Sequence, residues 1–342
     1  MSLPPGGLLS WSMQALSINA DDAPTLHPLV GDASQRRYFR LRTRAQVYIA
    51  VDSPPASQKN REFLAVRACL EAGGVRVPAL LAADLEQGYL MLEDLGDSLL
   101  LDRLTADAAD GWYRQALALQ RRMADLPADT IALPAYDAGL LGEELARFPE
   151  WFLTALLGLA LSDDERAALA ELDGLLVANA LAQPRVLVHR DFHSRNLMCM
   201  ADGQLAVIDF QDAVSGPLTY DAVSLLKDCY VRWPRDRVAG WALAYRDALT
   251  ASGRLPALDD ATFLRWFDWM GLQRHLKVLG TFARLALRDG KTDYLQDLPR
   301  VLAYVQEVFA LYAGQHPALD GIAGWFGQRV LPVIQRQPWS RT

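Results

Sequence analysis

Two short apolar runs separated by Ala201-Asp202-Gly203 impose a β-hairpin on residues 197 to 208, and the open end of that hairpin carries chemistry. Leu197 to Met200 leads into the turn and Leu205 to Ile208 leads out of it. Neighbouring strands lie about 4.8 Å apart. The residue that enters the first strand, Asn196, and the one that leaves the second, Asp209, can therefore reach one small cation together. An earlier apolar run, Val186 to Val188, ends in His189-Arg190-Asp191, which leaves Asp191 on the loop before Asn196, free to act on a substrate hydroxyl.

A carboxylate and a carboxamide are hard oxygen ligands that suit Mg²⁺, which keeps its remaining positions for water and phosphate. A nearby carboxylate that is not a ligand can orient a hydroxyl and accept its proton. His-Arg-Asp, an asparagine five residues after the aspartate, and a metal-binding aspartate after a hairpin are the parts that phosphoryl transfer requires in the protein-kinase arrangement. A lone His-x-Asp would be read as a polar loop beside an ordinary hairpin. The full spacing decides for the catalytic reading.

The rest of the chain has to supply a core and a nucleotide site. With 342 residues and 51% hydrophobic content, it can bury a large core and is expected to split into two lobes. A net charge of −7 argues against nucleic acid or an anionic membrane as the main partner, so an anionic nucleotide has to be held by local donors and metal. Cys69, Cys199 and Cys229 form no ligand spacing and leave an odd one over, which fits reduced thiols in a cytoplasm. No early Lys or Arg precedes the first apolar residues, and Pro4-Pro5-Gly6-Gly7 breaks any signal-like core, so a cytoplasmic protein is expected. The apolar stretch around Trp151 to Leu161 is too short to span a bilayer and reads as a buried core helix.

Residues Leu8 to Ile18 read as a short helix. Gly31, Ala33 and Ser34 then make a small-residue turn whose backbone N–H groups can approach phosphate oxygens, ahead of strands around Tyr38 to Leu41 and Val47 to Val51. Phe63, Val66 and Leu70 form the stripe of a helix over Lys59 to Ala72, stopped by Gly73-Gly74. Val75 to Ala82 and Gly88 to Leu92 read as further strands. Strands, one helix, strands and a linker make a nucleotide-binding N-lobe of residues 1–95, and residues 96–342 make a mainly helical C-lobe that carries the catalytic residues and the acceptor site. The fold class is α+β.

This order of elements resembles the two-lobe protein-kinase-like fold, and more closely the aminoglycoside phosphotransferase family. The family signature, His-x-Asp-x-x-x-x-Asn followed by Ile-Asp-Phe/Trp, is met by His189, Asp191, Asn196 and Ile208-Asp209-Phe210. The resemblance implies ATP and Mg²⁺ as cofactors, Asp191 as the catalytic base, and Asn196 and Asp209 as the metal ligands. It makes Leu90 to Gly96 the hinge, where the carbonyl of Glu93 and the N–H of Leu95 would pair with the adenine edge, and Asp221 a structural aspartate that ties down the catalytic loop. The family usually carries a lysine on the third strand, paired with a helix glutamate, to hold the α- and β-phosphates. Here that slot, at or near Val51, is apolar. Glu62 remains as the helix partner, and Arg37, Arg40 or Lys59 are candidates for the missing cation.

Gly31 to Arg40, Asp52-Ser-Pro-Pro55, His189 to Asn196, Gln211-Asp212-Ala213 and Gln273 to Gly280 together resemble one branch of that family. Its members are the anomeric N-acetylmuramate and N-acetylglucosamine kinases of cell-wall (peptidoglycan) recycling. The expected partners are thus an amino sugar and a nucleotide, with neither nucleic acid nor membrane involved. An anomeric hydroxyl is more acidic than an ordinary alcohol, so an unshifted carboxylate at Asp191 suffices as base. His193, Arg195, Asp212, Arg274 and His275 are the candidate sugar contacts, with Met270, Arg274 and Lys277 on roughly one face of a long helix. Two other functions compete with this one. A phosphotransferase of the same fold acting on aminoglycosides or other small alcohols would want an acidic pocket, which Arg195 and Arg274 oppose. A non-catalytic pseudokinase has only the missing lysine in its favour.

Overall fold

The computed structural model describes residues 3–29, 36–126 and 131–341. The turn that holds Gly31, Ala33 and Ser34 lies outside the described residues. In chain order the elements begin with α1 (Leu8–Ala15), β1 (Thr25–Pro28), β2 (Arg37–Arg42), β3 (Val47–Asp52), α2 (Asn60–Ala72), β4 (Leu80–Asp84) and β5 (Tyr89–Glu93). Next come α3 (Ala109–Asp125), α4 (Ala138–Leu145), a π-helical segment (Phe148–Leu156) and α5 (Asp163–Leu181). β6 (Arg185–Val188), β7 (Leu197–Cys199), β8 (Leu205–Val207) and β9 (Val214–Pro217) follow. The chain closes with α6 (Tyr220–Leu226), α7 (Arg235–Ala251), α8 (Asp260–Asp289), α9 (Leu298–Leu311), α10 (Pro317–Trp325) and α11 (Leu331–Ile334).

The chain forms two compact units, one of residues 1–103 with 195–212, the other of residues 104–194 with 213–342. The division differs from the simple cut expected after residue 95, because the hairpin of β7 and β8 packs with the first unit. Backbone pairing explains this. The N–H of Cys199 donates to the carbonyl of Ser98 and that of Val207 to the carbonyl of Arg76, both at 2.8 Å.

The first unit is built on an antiparallel sheet of order β1-β2-β3-β5-β4. Its two faces follow from strand alternation. Phe39, Ala50 and Met91 lie side by side in the register and pack with Leu8 of α1 into one small core. Arg40, Ile49 and Leu92 lie side by side on the other face. Val75 and Val77 are buried as a strand reading requires, yet β4 starts only at Leu80, since Pro78 has no N–H to give a ladder.

The second unit is helical, organised around α8. This helix runs for 30 residues, about 45 Å. Asp259 caps its start by accepting the Thr262 N–H at 2.8 Å, and Gly290 ends it in the left-handed conformation. Gly280 lets the helix approach the backbone of Arg147 so closely that a Cβ there would sit 2.3 Å from it. The stretch around Trp151, expected as an ordinary core helix, winds as a π-helix against α8, burying Phe148, Phe152 and Leu153. Among the described residues no helix is long and apolar enough to cross a membrane.

Candidate active site

The first unit encloses a cavity of about 490 Å³, within the range of small-molecule sites. Tyr38, Arg40, Ile49 and Leu92 form its sheet wall, Phe63 of α2 one side, and Glu93 to Asp97 another. Asn196, Met198, Ile208, Asp209 and Phe210 close it from the hairpin. Five of the residues expected from sequence to serve a nucleotide and its metal thus line one space: Arg40, Glu93, Leu95, Asn196 and Asp209.

The hairpin geometry follows from its pairing. Leu197 faces Val207, and the N–H of Ile208 donates to the carbonyl of Asn196 at 3.1 Å. One step further out, Asn196 Nδ2 lies 3.4 Å from Asp209 Oδ2. Asp209 sits at φ +64, a left-handed conformation that aspartate tolerates better than most residues, and Gln211 Nε2 donates to its Oδ1 at 2.6 Å. Among the described residues no group of three or more His, Cys, Asp or Glu side chains converges as a metal cage. The donor set still fits Mg²⁺, which is held by one or two carboxylates plus substrate phosphates.

The candidate phosphate cations fare differently. Arg40 is committed to the hinge side: Nε lies 2.6 Å from Asp94, and Nη2 lies 2.7 Å from Asp97 and 3.3 Å from the carbonyl of Gly96. It braces the cavity wall instead of standing ready for phosphate. Arg37 falls on the opposite face of β2, where its Nε donates to Asp52 at 2.8 Å, so alternation turns it away from the cavity. Glu62 and Lys59 are exposed at the start of α2, and neither lines the cavity. Val51, at the lysine slot, is wholly buried. Glu93 is an ion-pair partner of Arg76, and its carboxylate accepts the N–H of Ala79 at 3.1 Å.

The second unit holds Asp191 in a charged cluster. Asp221 accepts the backbone N–H groups of His189 and Arg190 at 2.7 and 3.0 Å, which fixes the loop. Arg190 sits at φ +76, strained for a residue with a Cβ, and its Nη2 is drawn to Glu144 at 2.6 Å. Lys277 Nζ lies 3.0 Å from Glu144 and donates to the Tyr220 hydroxyl at 2.9 Å, while the Tyr136 hydroxyl also donates to Glu144. Burial alone would raise the Asp191 carboxyl, but Lys277, then His193, Arg274 and His189, outweigh it and leave the group below the usual carboxylate range. Asp191 is therefore ionised at neutral pH.

The candidate sugar residues do not form one set. His193 packs edge-on against Tyr230 at 5.5 Å, and burial lowers its imidazole pKa, with Asp228 and Asp191 opposing, so it is neutral at pH 7. Arg274 is buried, with Nη1 3.4 Å from Cys229 Sγ, and its charge bears on Asp191. His275 is withdrawn from any ligand: it is fully buried, stacked on Tyr304 at 4.6 Å, and bonded to the Lys227 carbonyl at 3.0 Å. Burial holds its pKa well below the usual value. The long-helix face that carries Arg274 therefore buries His275 on its flank. Arg195 and Asp212 are exposed, and neither lines the cavity of the first unit, to which both belong.

Sequence reasoning missed Glu144 and Asp228. Glu144 follows Glu143 on α4 and is fully buried. Asp228 accepts the Ser194 N–H at 2.9 Å and the Ser194 hydroxyl at 2.5 Å, steadying the end of the loop that carries Asp191. The only signal for either is a surplus of cations around Asp191 that needs balancing.

The comparisons with known proteins agree with this geometry. The model of the "Phosphotransferase enzyme family" matches residues 25–264. The chain is 44% identical over 297 residues to the N-acetylmuramate/N-acetylglucosamine kinase of Pseudomonas putida, covering 87% of this chain and 86% of that protein. It is 38% identical over 294 residues to the protein of the same name from Neisseria meningitidis, covering 84% and 86%. Among solved structures, an ethanolamine kinase of Plasmodium vivax superposes with a TM-score of 0.63 at 12% identity, over 87% of this chain and 86% of that one. The ADP-bound aminoglycoside phosphotransferase APH(2'')-Ib gives 0.59 at 14%, over 90% and 99%. These last two speak for the protein-kinase-like fold alone. The match over most of the chain, met by the loop of Asp191 and the hairpin of Asn196 and Asp209, places the protein in the phosphotransferase enzyme family.

Proposed function

We propose that the protein transfers the γ-phosphoryl group of ATP to the anomeric C1 hydroxyl of N-acetylmuramate and N-acetylglucosamine, in the cytoplasmic reuse of cell-wall sugars. The observation that carries this reading is 44% identity, across nearly the whole of both chains, to a protein named for these two substrates. The charge around Asp191 supports it as well. Lys277 and Arg274 favour an acceptor that is neutral, or that carries a carboxylate as N-acetylmuramate does, and oppose a polycationic aminoglycoside.

In this reading ATP occupies the cavity of the first unit, with adenine toward Glu93 and Leu95. Asn196 and Asp209 hold Mg²⁺, whose charge would offset that of the β- and γ-phosphates. Asp191 orients the sugar hydroxyl and accepts its proton as the new P–O bond forms and ADP leaves. Such a loose transition state asks mainly for alignment and charge neutralisation, so an ionised carboxylate of ordinary or low basicity is enough. Asp221 and Asp228 do not touch substrate, and their part is to hold the Asp191 loop at both ends.

The test is label transfer from γ-³²P-ATP to N-acetylmuramate, N-acetylglucosamine and kanamycin, side by side. The two sugars should be labelled at an acid-labile anomeric phosphate, and kanamycin should not. Labelled kanamycin beside unlabelled sugars would overturn the reading.

A further inference from the structure

We propose that Arg36 is the cation that holds the inner phosphates of the bound nucleotide, in the place left by the apolar Val51. The inference rests on the reading of the cavity as an ATP site and goes beyond it to a residue that neither motif nor sequence spacing singled out.

Charge creates the need. The cavity wall carries Glu93, Asp94, Asp97 and Asp209 against one basic residue, Arg40, which is already held by Asp94 and Asp97. A nucleoside triphosphate brings about four more negative charges, and one Mg²⁺ offsets only two of them. A further cation has to come from the same unit, near the Asp209 end of the cavity.

Arg36 is placed to supply it. It precedes β2 by one residue, so alternation sets it on the face of Tyr38 and Arg40, the cavity face, whereas Arg37 lies on the other. The register continues past Arg37 and Asp52 to bring Arg36 opposite Ser53, two residues beyond Val51 on the same face, and Arg36 Nε donates to Ser53 Oγ at 2.9 Å. The guanidinium lies 4.6 Å over the ring of Phe63, a cavity-lining residue. Phe63 is in turn stacked at 5.0 Å on Phe210, the neighbour of Asp209. Tyr38 and Asp209 both line the cavity, and the hydroxyl of Tyr38 feels the charges of both Arg36 and Asp209. Arg36 donates to the neutral side chains of Ser53 and Asn60, and it also hydrogen-bonds the side chain of Tyr38. An ionised phosphate oxygen accepts a hydrogen bond roughly twice as strong as a neutral acceptor does, and the planar fork of arginine suits bidentate phosphate contact.

The experiment titrates the full-length protein with MgATP and with adenosine, which has no phosphate, for wild type, Arg36→Met, Arg36→Gln and Arg36→Lys. The expected result is about a 30-fold loss of MgATP affinity in Arg36→Met. Adenosine affinity should stay within about twofold, and Arg36→Lys should lose less than Arg36→Gln. Equal losses for MgATP and adenosine would mean that Arg36 merely props the sheet against α2, and would overturn the proposal. So would unchanged MgATP binding. Should Arg36→Met not fold, the Lys and Gln variants decide, since equal MgATP losses in the two would rule out a charge contact. Failure of the functional reading is visible separately, as wild-type protein that transfers no phosphate to either sugar.

Discussion

Lys277 Nζ lies 3.0 Å from Glu144 Oε1, an ion pair between α8 and α4 in which the carboxylate is fully buried. The same carboxylate takes Arg190 at 2.6 Å, so two cations share one anion beside the loop of Asp191. Lys277, followed by His193, Arg274 and His189, holds the Asp191 carboxyl below the usual carboxylate range despite its burial.

Its removal should show in the pH profile. Because the folded-state pKa of Asp191 is depressed, the base is ionised at every pH above its ordinary carboxylate value, and activity from this group is lost only as pH falls below about 4. The same sign holds for stability: the contribution of Asp191 is present above the unfolded value and lost as pH falls through the folded one. Lys277→Met removes the largest opposing charge, so the acid limb of kcat/KM should move upward. An acid limb at the same pH in both proteins would contradict this account.

Glu144 is expected to matter for stability more than for turnover. Glu144→Gln leaves Arg190 and Lys277 with an uncompensated charge in a buried setting, which costs about 3–5 kcal/mol. Urea unfolding measures it. The double variant with Lys277→Met should lose less than the sum of the single changes, because the two residues are in direct contact. Strict additivity would show that the pair is not coupled.

Asp191→Asn keeps the shape of the side chain and removes the proton acceptor. Turnover with either sugar should fall by about 10²–10⁴-fold, while MgATP binding, measured by calorimetry, stays near wild type. A rate within a few-fold of wild type would remove Asp191 from the reaction.

Asp209→Asn should raise the Mg²⁺ concentration needed for half-maximal activity by at least about tenfold, since the variant loses the carboxylate donor of the pair formed with Asn196. Titration of activity against free Mg²⁺ checks it, and an unchanged requirement would show that the metal is held elsewhere.

Much of this site was legible because it is local in the chain. The hairpin of β7 and β8, its Asp-Gly turn and the convergence of Asn196 with Asp209 depend on pairing between residues about a dozen apart, and hydrophobic alternation with turn chemistry encodes that directly. The phosphotransferase family could be read in the same way, from the run between His189 and Phe210, and the fold class from the order of elements along the chain. The roles expected of Arg40, Arg37 and His275 were not, because each depends on partners far away. Arg40 is taken by Asp94 and Asp97, Arg37 is turned aside by the parity of β2, and His275 is buried against Tyr304.

By itself, then, the sequence determined the hairpin, the loop that carries Asp191, and the long helix of residues 261–287, since periodicity and short-range turn signals are properties of neighbouring residues. Only the tertiary structure decided that the hairpin packs with the first unit, that Glu144 balances Arg190 and Lys277, and that Arg36 lies over Phe63 while Arg37 is held by Asp52. The reason is physical: a charge in a folded protein is defined by what surrounds it in space, and strand parity and helix packing set that environment over separations that no local pattern records.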